Sequence, residues 1–277
     1  MAQLATVIAP AREFTSAYLY GQIQASDSQQ KAECRDRILK FFADTHDQSV
    51  CPRLLSFPSA NWYFEKQCID LWPWMECVAV ERDSRVYRVA VQRMPGPRTT
   101  IGQLDLGYGL VPCAESGPHR IALCHLSALL QSTRMGKSKN KQRQFVNQWK
   151  RWTMIWLDIN SQICEEVEKC VIRLSAFCDY RIPCVPVAVT FFGERGTSDI
   201  KNKLYLLQSD RVDYMVRLLE TNRHRAWVTD DVFAYETPGG TTLTTVVGRL
   251  LLRNPRSCSP ASSTPRRTGA TPCWSRP

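Results

Sequence analysis

At 277 residues, with 44% apolar side chains and a formal charge of +10, the chain can bury a core of its own, and one domain with tails is expected rather than two. The charge is local, because Arg134, Lys137, Lys139, Lys141, Arg143, Lys150 and Arg151 form one acid-free segment and Arg256, Arg266, Arg267 and Arg276 lie in another, which leaves the body close to neutral. No run approaches the length of a membrane span, and Leu4 to Pro10 is too short for the apolar core of a signal peptide, which argues against a membrane or secreted class.

The 12 cysteines do not read as a disulfide framework in a chain of this size. Cys68, Cys77, Cys124, Cys170 and Cys178 fall on apolar faces, where a reduced thiol behaves as a small hydrophobe. The expectation is an intracellular, cytoplasmic protein in a reducing compartment. No pair has Cys-x-x-Cys spacing, and the intervals among Cys164, Cys170, Cys178 and Cys184 are too wide for a zinc knuckle, so no metal is expected.

In chain order, residues 1–27 show no sustained period, and Ala32 to Phe42 then places Cys34, Ile38, Phe41 and Phe42 at helical intervals. Residues 1–50 are therefore expected to be an extension with one packing helix. Arg53 to Phe57 is a short apolar run closed by Pro58-Ser59, with Ser59 as the cap of the next helix. In that helix Asn61, Phe64, Cys68 and Leu71 share one face, and Glu65, Lys66 and Asp70 the other. Cys77-Val78-Ala79-Val80 reads as a buried parallel strand ending on Glu81. A carboxylate there, roughly 20 residues beyond the first turn, can accept hydrogen bonds from both hydroxyls of a ribose.

Ser84 is expected to cap the next helix, with Val86, Val89 and Ala90 inward, and Pro95-Gly96-Pro97 ends it. Arg98 to His119 reads as a long loop with a short strand at Ile101 to Leu106. A third run, Arg120 to Cys124, leads into a helix at His125-Leu126-Ser127. Within the basic segment Phe145, Trp149 and Trp152 recur at i, i+4 and i+7, an apolar stripe beside a cationic face. Thr153 to Leu157 is a fourth run, ending on Asp158-Ile159-Asn160. Ile163 to Cys178 traces one helix, Val185 to Phe192 a fifth strand, and Val212 to Leu219 another helix. Val232 to Thr237 and Thr241 to Leu252 then flank Pro238-Gly239-Gly240 as a hairpin. Beyond Asn254 the composition of residues 254–277 is that of a disordered basic tail.

Two glycine motifs fail on inspection. Gly136-Lys137-Ser138 lacks the earlier glycine of a phosphate loop, since position 131 is Gln, and Gly107-Tyr108-Gly109 lacks the third glycine of a dinucleotide fingerprint, since position 112 is Pro. A nicotinamide-dependent oxidoreductase is correspondingly disfavoured.

Strand and helix alternate five times before an antiparallel pair, the pattern of a doubly wound, mostly parallel α/β sheet with a C-terminal antiparallel hairpin. Over residues 51–253 this order resembles the class I, Rossmann-like methyltransferases that use S-adenosylmethionine. The resemblance implies a seven-stranded sheet ending in a reversed strand. It also implies a cofactor turn at Ser56-Phe57-Pro58-Ser59-Ala60-Asn61, here without the family's glycines. Ser56, Pro58, Ser59 and Asn61 would then approach the cofactor's amino-acid end, Glu81 its ribose, and His125 and the Leu126 backbone its adenine. Asp158 and Asn160 would stand at the reaction edge. A capped turn with no ligand is the alternative for residues 56–61.

The family's members that methylate amino groups of bases carry Pro-Pro and an aromatic ring after this Asp or Asn, and Asp158-Ile159-Asn160-Ser161 does not. Cys184 stands at the start of a strand, the wrong end for attack on cytosine. Lys137, Lys139, Lys141, Arg143 and Lys150 are the candidate contacts to DNA or RNA phosphates. Methyl transfer to a nucleic acid is the reading that results. A catalytically inactive Rossmann-like module for nucleic-acid binding or interaction is the alternative.

Overall fold

The computed structural model describes residues 28–106, 109–131, 151–159, 163, 165–192, 208–237 and 240–253. Helix α1 is Gln29–Thr45, capped by Ser28, whose hydroxyl accepts from the Lys31 amide. Then follow β1 (Arg53–Ser56), α2 (Tyr63–Leu71), β2 (Glu76–Glu81), α3 (Ser84–Gln92), β3 (Thr100–Asp105), β4 (Leu110–Ser116), β5 (His119–Leu123) and α4 (Leu126–Gln131). The remaining elements are β6 (Met154–Asp158), α5 (Glu165–Arg173), a 3-10 turn at Leu174–Ala176, β7 (Cys184–Phe192), α6 (Gln208–Glu220), β8 (Arg225–Glu236) and β9 (Thr242–Leu252).

The strands form one mixed sheet in the order β3-β4-β5-β2-β1-β6-β7-β9-β8. β5, β2, β1, β6 and β7 run parallel. β9 is inserted antiparallel between β7 and β8. This is the reversed strand that the resemblance implies, but the sheet has nine strands instead of seven and half of its pairings are antiparallel. The difference lies in residues 98–119, expected to be a long loop with a short strand at Ile101 to Leu106; that strand is present as β3, and β4 was not expected. The two form the hairpin β3-β4, which pairs onto β5 at the sheet's edge.

The central strands are apolar on both sides because both faces are covered. Leu54, Cys77, Ala79, Met154, Trp156 and Ala188 face α1, α2 and α3. Leu55, Val78, Val80, Ile155, Leu157, Val187 and Val189 face α4, α5 and α6. The five cysteines placed on apolar faces are buried free thiols, and burial pushes Cys124 and Cys178 up to about 12. At Gly248 in β9 an added Cβ would clash with the Val228 carbonyl and the Trp227 ring of the paired strand β8, so the two neighbouring strands approach here, beside a register shift, at a distance only glycine allows.

At the end of the sheet opposite the parallel strands' carboxyl ends, Arg225 is 1% exposed and works as a clamp. Its Nη1 donates to the carbonyls of Pro183 and Leu250, and its Nη2 to those of Asp179 and Ile182. One guanidinium thereby joins β8, β9 and the segment leading into β7.

Several local expectations change. Ser59 does not cap α2, which begins four residues later with Trp62 at its N-cap and no side-chain cap bond. Asp83 caps α3 in place of Ser84, its carboxylate accepting from the Arg85 and Val86 amides. On α2, Glu65 is buried and Leu71 is exposed, the reverse of the expected faces, because α1 packs beside α2 and redefines its inner side. The helix expected over 163–178 stops at Arg173 and passes into the 3-10 turn. Trp152 is not on a helix stripe: it is fully buried and bridges to Cys178 beside β6. No helix among the described residues is long and apolar enough to cross a membrane.

Candidate active site

The strand order reverses between β2-β1 and β6-β7, and in an open parallel sheet that reversal leaves a crevice at the strands' carboxyl ends. A cleft of about 190 Å3 lies there. Phe57, Ser59 and Ala60 line it from the turn after β1, Val80 to Asp83 from the end of β2, and Cys124 to Ser127 from the end of β5. Leu157 to Ile159 come from the end of β6, and Glu166, Val167 and Cys170 from α5.

Glu81 stands at the end of β2 as expected, and its Oε1 accepts from the Asp83 amide at 2.8 Å. Burial raises its carboxyl above the ordinary carboxylate range, opposed by the amides of Asp83 and Arg82. An acceptor held by its own backbone and partly withdrawn from water is preorganised to receive further donors.

The turn after β1 contains no glycine, yet Ser59 has φ 51° and Trp62 has φ 57°. Both are left-handed conformations that glycine would adopt without steric cost. Trp62 is held there by complete burial and by its Nε1, which donates to the Ala90 carbonyl at 2.7 Å. The turn thus holds two non-glycine residues in conformations that glycine adopts more readily. Of the four turn residues singled out in the sequence, only Ser59 lines the cleft. Ser56 is fully buried within β1, Pro58 is buried, and Asn61 accepts from Arg93 through its side-chain oxygen.

His125 and Leu126 line the cleft at the start of α4. The His125 ring is exposed, with Nδ1 3.6 Å from a Glu166 carboxylate oxygen on α5. Its carbonyl accepts from the Ala128 amide, which leaves the ring as the group that faces outward.

Asp158 borders the cleft from β6, but it is not a free carboxylate. Lys31 of α1 donates to its Oδ2 in an ion pair whose side chains are each 9% exposed, while Oδ1 is buried with no partner among the described residues. Nothing in the sequence near residue 158 announces this pairing, which spans 127 positions. Asn160, Lys137, Lys139, Lys141, Arg143 and Lys150 lie outside the described residues. Among the described residues no three His, Cys, Asp or Glu side chains converge so as to hold a metal ion.

The fold is a Rossmann-like α/β domain with a crevice at its topological switch point. No family model matches the chain, and no curated protein matches it. Among solved structures it is similar to the O-methyltransferase TomG from Streptomyces achromogenes, in complex with SAM, at 11% identity and TM-score 0.49 over 86% of this chain and 91% of that one. It is similar to the 16S rRNA (adenine(1408)-N(1))-methyltransferase from Catenulisporales acidiphilia at 13% identity and TM-score 0.41, over 80% and 93%. A third is the fibrillarin pre-rRNA processing protein of Methanococcus jannaschii, at 10% identity and TM-score 0.47, over 73% and 68%. At this level the likenesses assign no residue roles to this chain.

Proposed function

We propose that the cleft binds S-adenosylmethionine and that the protein transfers its methyl group. The observation that carries this reading is Glu81, a preorganised carboxylate at the end of the strand next to the switch point, in a sheet that carries a reversed strand between β7 and β8. The residues fit the group. Glu81 would accept from the ribose hydroxyls, and the apolar walls of Val80, Leu126 and Leu157 would enclose the base. Ser59 and Ala60 leave room for the amino-acid end. The cleft's volume is below the ~300–1,000 Å3 of most small-molecule pockets, so its enclosed part suits a nucleoside, with the remainder lying across the rim.

When bound, the sulfonium supplies an electrophilic methyl group. The chain's own contribution is to hold the ribose at Glu81 and to close the edge of the cleft at the end of β6, where Asp158 is already paired with Lys31. Calorimetry with S-adenosylmethionine, S-adenosylhomocysteine and NAD tests the assignment. Heat with the first two and none with NAD is expected; heat with NAD alone refutes it.

The acceptor we infer is a nucleic acid, on the strength of the acid-free segment from Arg134 to Arg151. Its affinity should fall steeply with salt as phosphate counterions are released. Retention that is unchanged after Lys139 and Lys141 are replaced by alanine would count against it.

A further inference from the structure

The end of the sheet opposite the cleft carries a second surface, where the chain enters β6 and β7. Tyr180 stands there 68% exposed, the most exposed large apolar side chain among the described residues. A single exposed ring needs no explanation by itself, but this one is both fixed and flanked. The Asp179 amide donates to the Trp152 carbonyl at 3.0 Å, and the Asp179 carbonyl accepts from Arg225 Nη2 at 2.7 Å. The Asp179 carboxylate accepts from the Arg181 amide at 3.0 Å. The ring thus projects from a turn that is already ordered, so little entropy is lost when a ligand covers it.

The flanking groups are guanidinium groups. Arg151 lies 6.0 Å from the Tyr180 ring centroid. Its backbone is left-handed, with φ 74°, a conformation unfavourable for arginine. It is held there by two amides, its own and that of Trp152, which donate to the Phe177 carbonyl at 2.8 and 3.2 Å. A residue kept in a strained conformation by its surroundings points to a role beyond the fold. Arg181 is 65% exposed even though its Nε and Nη2 donate to the Asp179 carboxylate, which is 4% exposed. The acid of the turn is thereby covered and the surface that remains is cationic. It continues to Arg223 and Arg253, exposed beside the paired ends of β8 and β9, where the Leu252 amide donates to the Pro183 carbonyl. Glu220, at the end of α6, is the exposed carboxylate nearest to Arg223 in sequence.

We propose that this end of the sheet binds single-stranded nucleic acid, with one base stacked on Tyr180 and phosphates held by Arg151, Arg181 and Arg253. An aromatic face for a base and cations for the backbone are the two parts such binding requires, and they meet here. An acidic peptide would satisfy the arginines and leave the ring in water. In sequence Arg151 is also the last residue of the acid-free segment that begins at Arg134. Arg151 and Asp158 stand at opposite ends of β6, on the order of 20 Å apart at the rise of an extended strand. The surface is therefore a docking site separate from the cleft, and it does not require the cofactor assignment.

The test is the fluorescence anisotropy of a labelled single-stranded RNA of mixed sequence, and of its duplex, with the full chain and no cofactor. The single strand should bind more tightly than the duplex, whose bases are already stacked. Tyr180→Ala should weaken single-strand binding by about fivefold or more and leave the duplex unchanged, while Tyr180→Phe keeps the preference. Arg151→Gly removes the guanidinium at a φ that glycine adopts freely, so the fold is retained. In that variant the salt slope of single-strand binding should fall by about 0.7. Unaltered single-strand affinity in Tyr180→Ala, or an unaltered salt slope in Arg151→Gly, would overturn the proposal. Binding to phosphatidylserine vesicles that Arg151→Gly abolishes, with no change in RNA affinity, would make the surface a lipid contact and overturn it equally. Because no cofactor is present and Lys139 and Lys141 are intact, these results are separate from those of the cofactor titration and of the lysine variants.

Discussion

Glu81→Ala should weaken binding of S-adenosylhomocysteine by about 2–4 kcal/mol, or roughly 30- to 1,000-fold. The magnitude follows from the site. One lone pair of Oε1 is taken by the Asp83 amide, which leaves the carboxylate able to accept from two ribose hydroxyls. Each such charge-assisted bond is worth about 1.5–3 kcal/mol, with partial loss of additivity because they share one group. Glu81→Gln keeps an oxygen for the Asp83 amide but turns the other oxygen into a donor, so its loss should be smaller, about tenfold. The pH dependence separates this role from a merely structural one. Burial raises the carboxyl, and the ionised form is the one that accepts twice. Affinity should therefore be full above the raised value and fall as pH drops through it, a slope that Glu81→Gln should lack. Isothermal calorimetry across the acid range reads both quantities. Unchanged affinity in the alanine variant, or the same pH slope in both proteins, would refute the role given to Glu81.

Three further outcomes follow from the packing. Arg225→Met should lower stability by about 3 kcal/mol and the thermal midpoint by about 10 °C, because the Ile182 carbonyl loses its donor and three others lose their charged one; scanning calorimetry checks it. Glu65→Gln should stabilise the fold increasingly as pH rises. The folded carboxyl is raised above its unfolded value, so its contribution is full below that unfolded value and is lost as pH rises through the folded one. Urea midpoints of the two proteins should coincide in acid and separate toward neutrality. Ser59→Gly should stabilise by about 0.5–1 kcal/mol, relieving the left-handed residue at φ 51° less the backbone entropy that glycine adds, as read from chemical denaturation.

How far each feature was legible depended on how local its cause is. β1, β2, β6 and β7 were readable because a strand buried on both faces needs an unbroken apolar run, and the hairpin at Pro238-Gly239-Gly240 was readable because its turn chemistry is local. β3 was read only as a short strand within a loop and β4 not at all, since an edge hairpin exposes Ile101 and Leu110 and even admits Pro112, and so lacks any clean alternation. On α2 Phe64 and Cys68 are buried and Lys66 and Asp70 exposed as read, but Glu65 and Leu71 were misplaced, because α1 packs beside α2 and no periodicity within α2 encodes that.

The sequence by itself determined the alternation of strands and helices, the apolar content of the central strands, and the position of Glu81 and Asp158 at strand ends. Each of these is written in neighbouring residues. Tertiary structure alone decided the strand order that places those ends around one crevice, and the left-handed path of a turn without glycine. It also decided the meeting of Lys31 with Asp158 beside the rings of Trp156 and Tyr235. Those depend on which distant segments share a buried volume, where an unpaired charge costs most and a partner from anywhere in the chain can satisfy it.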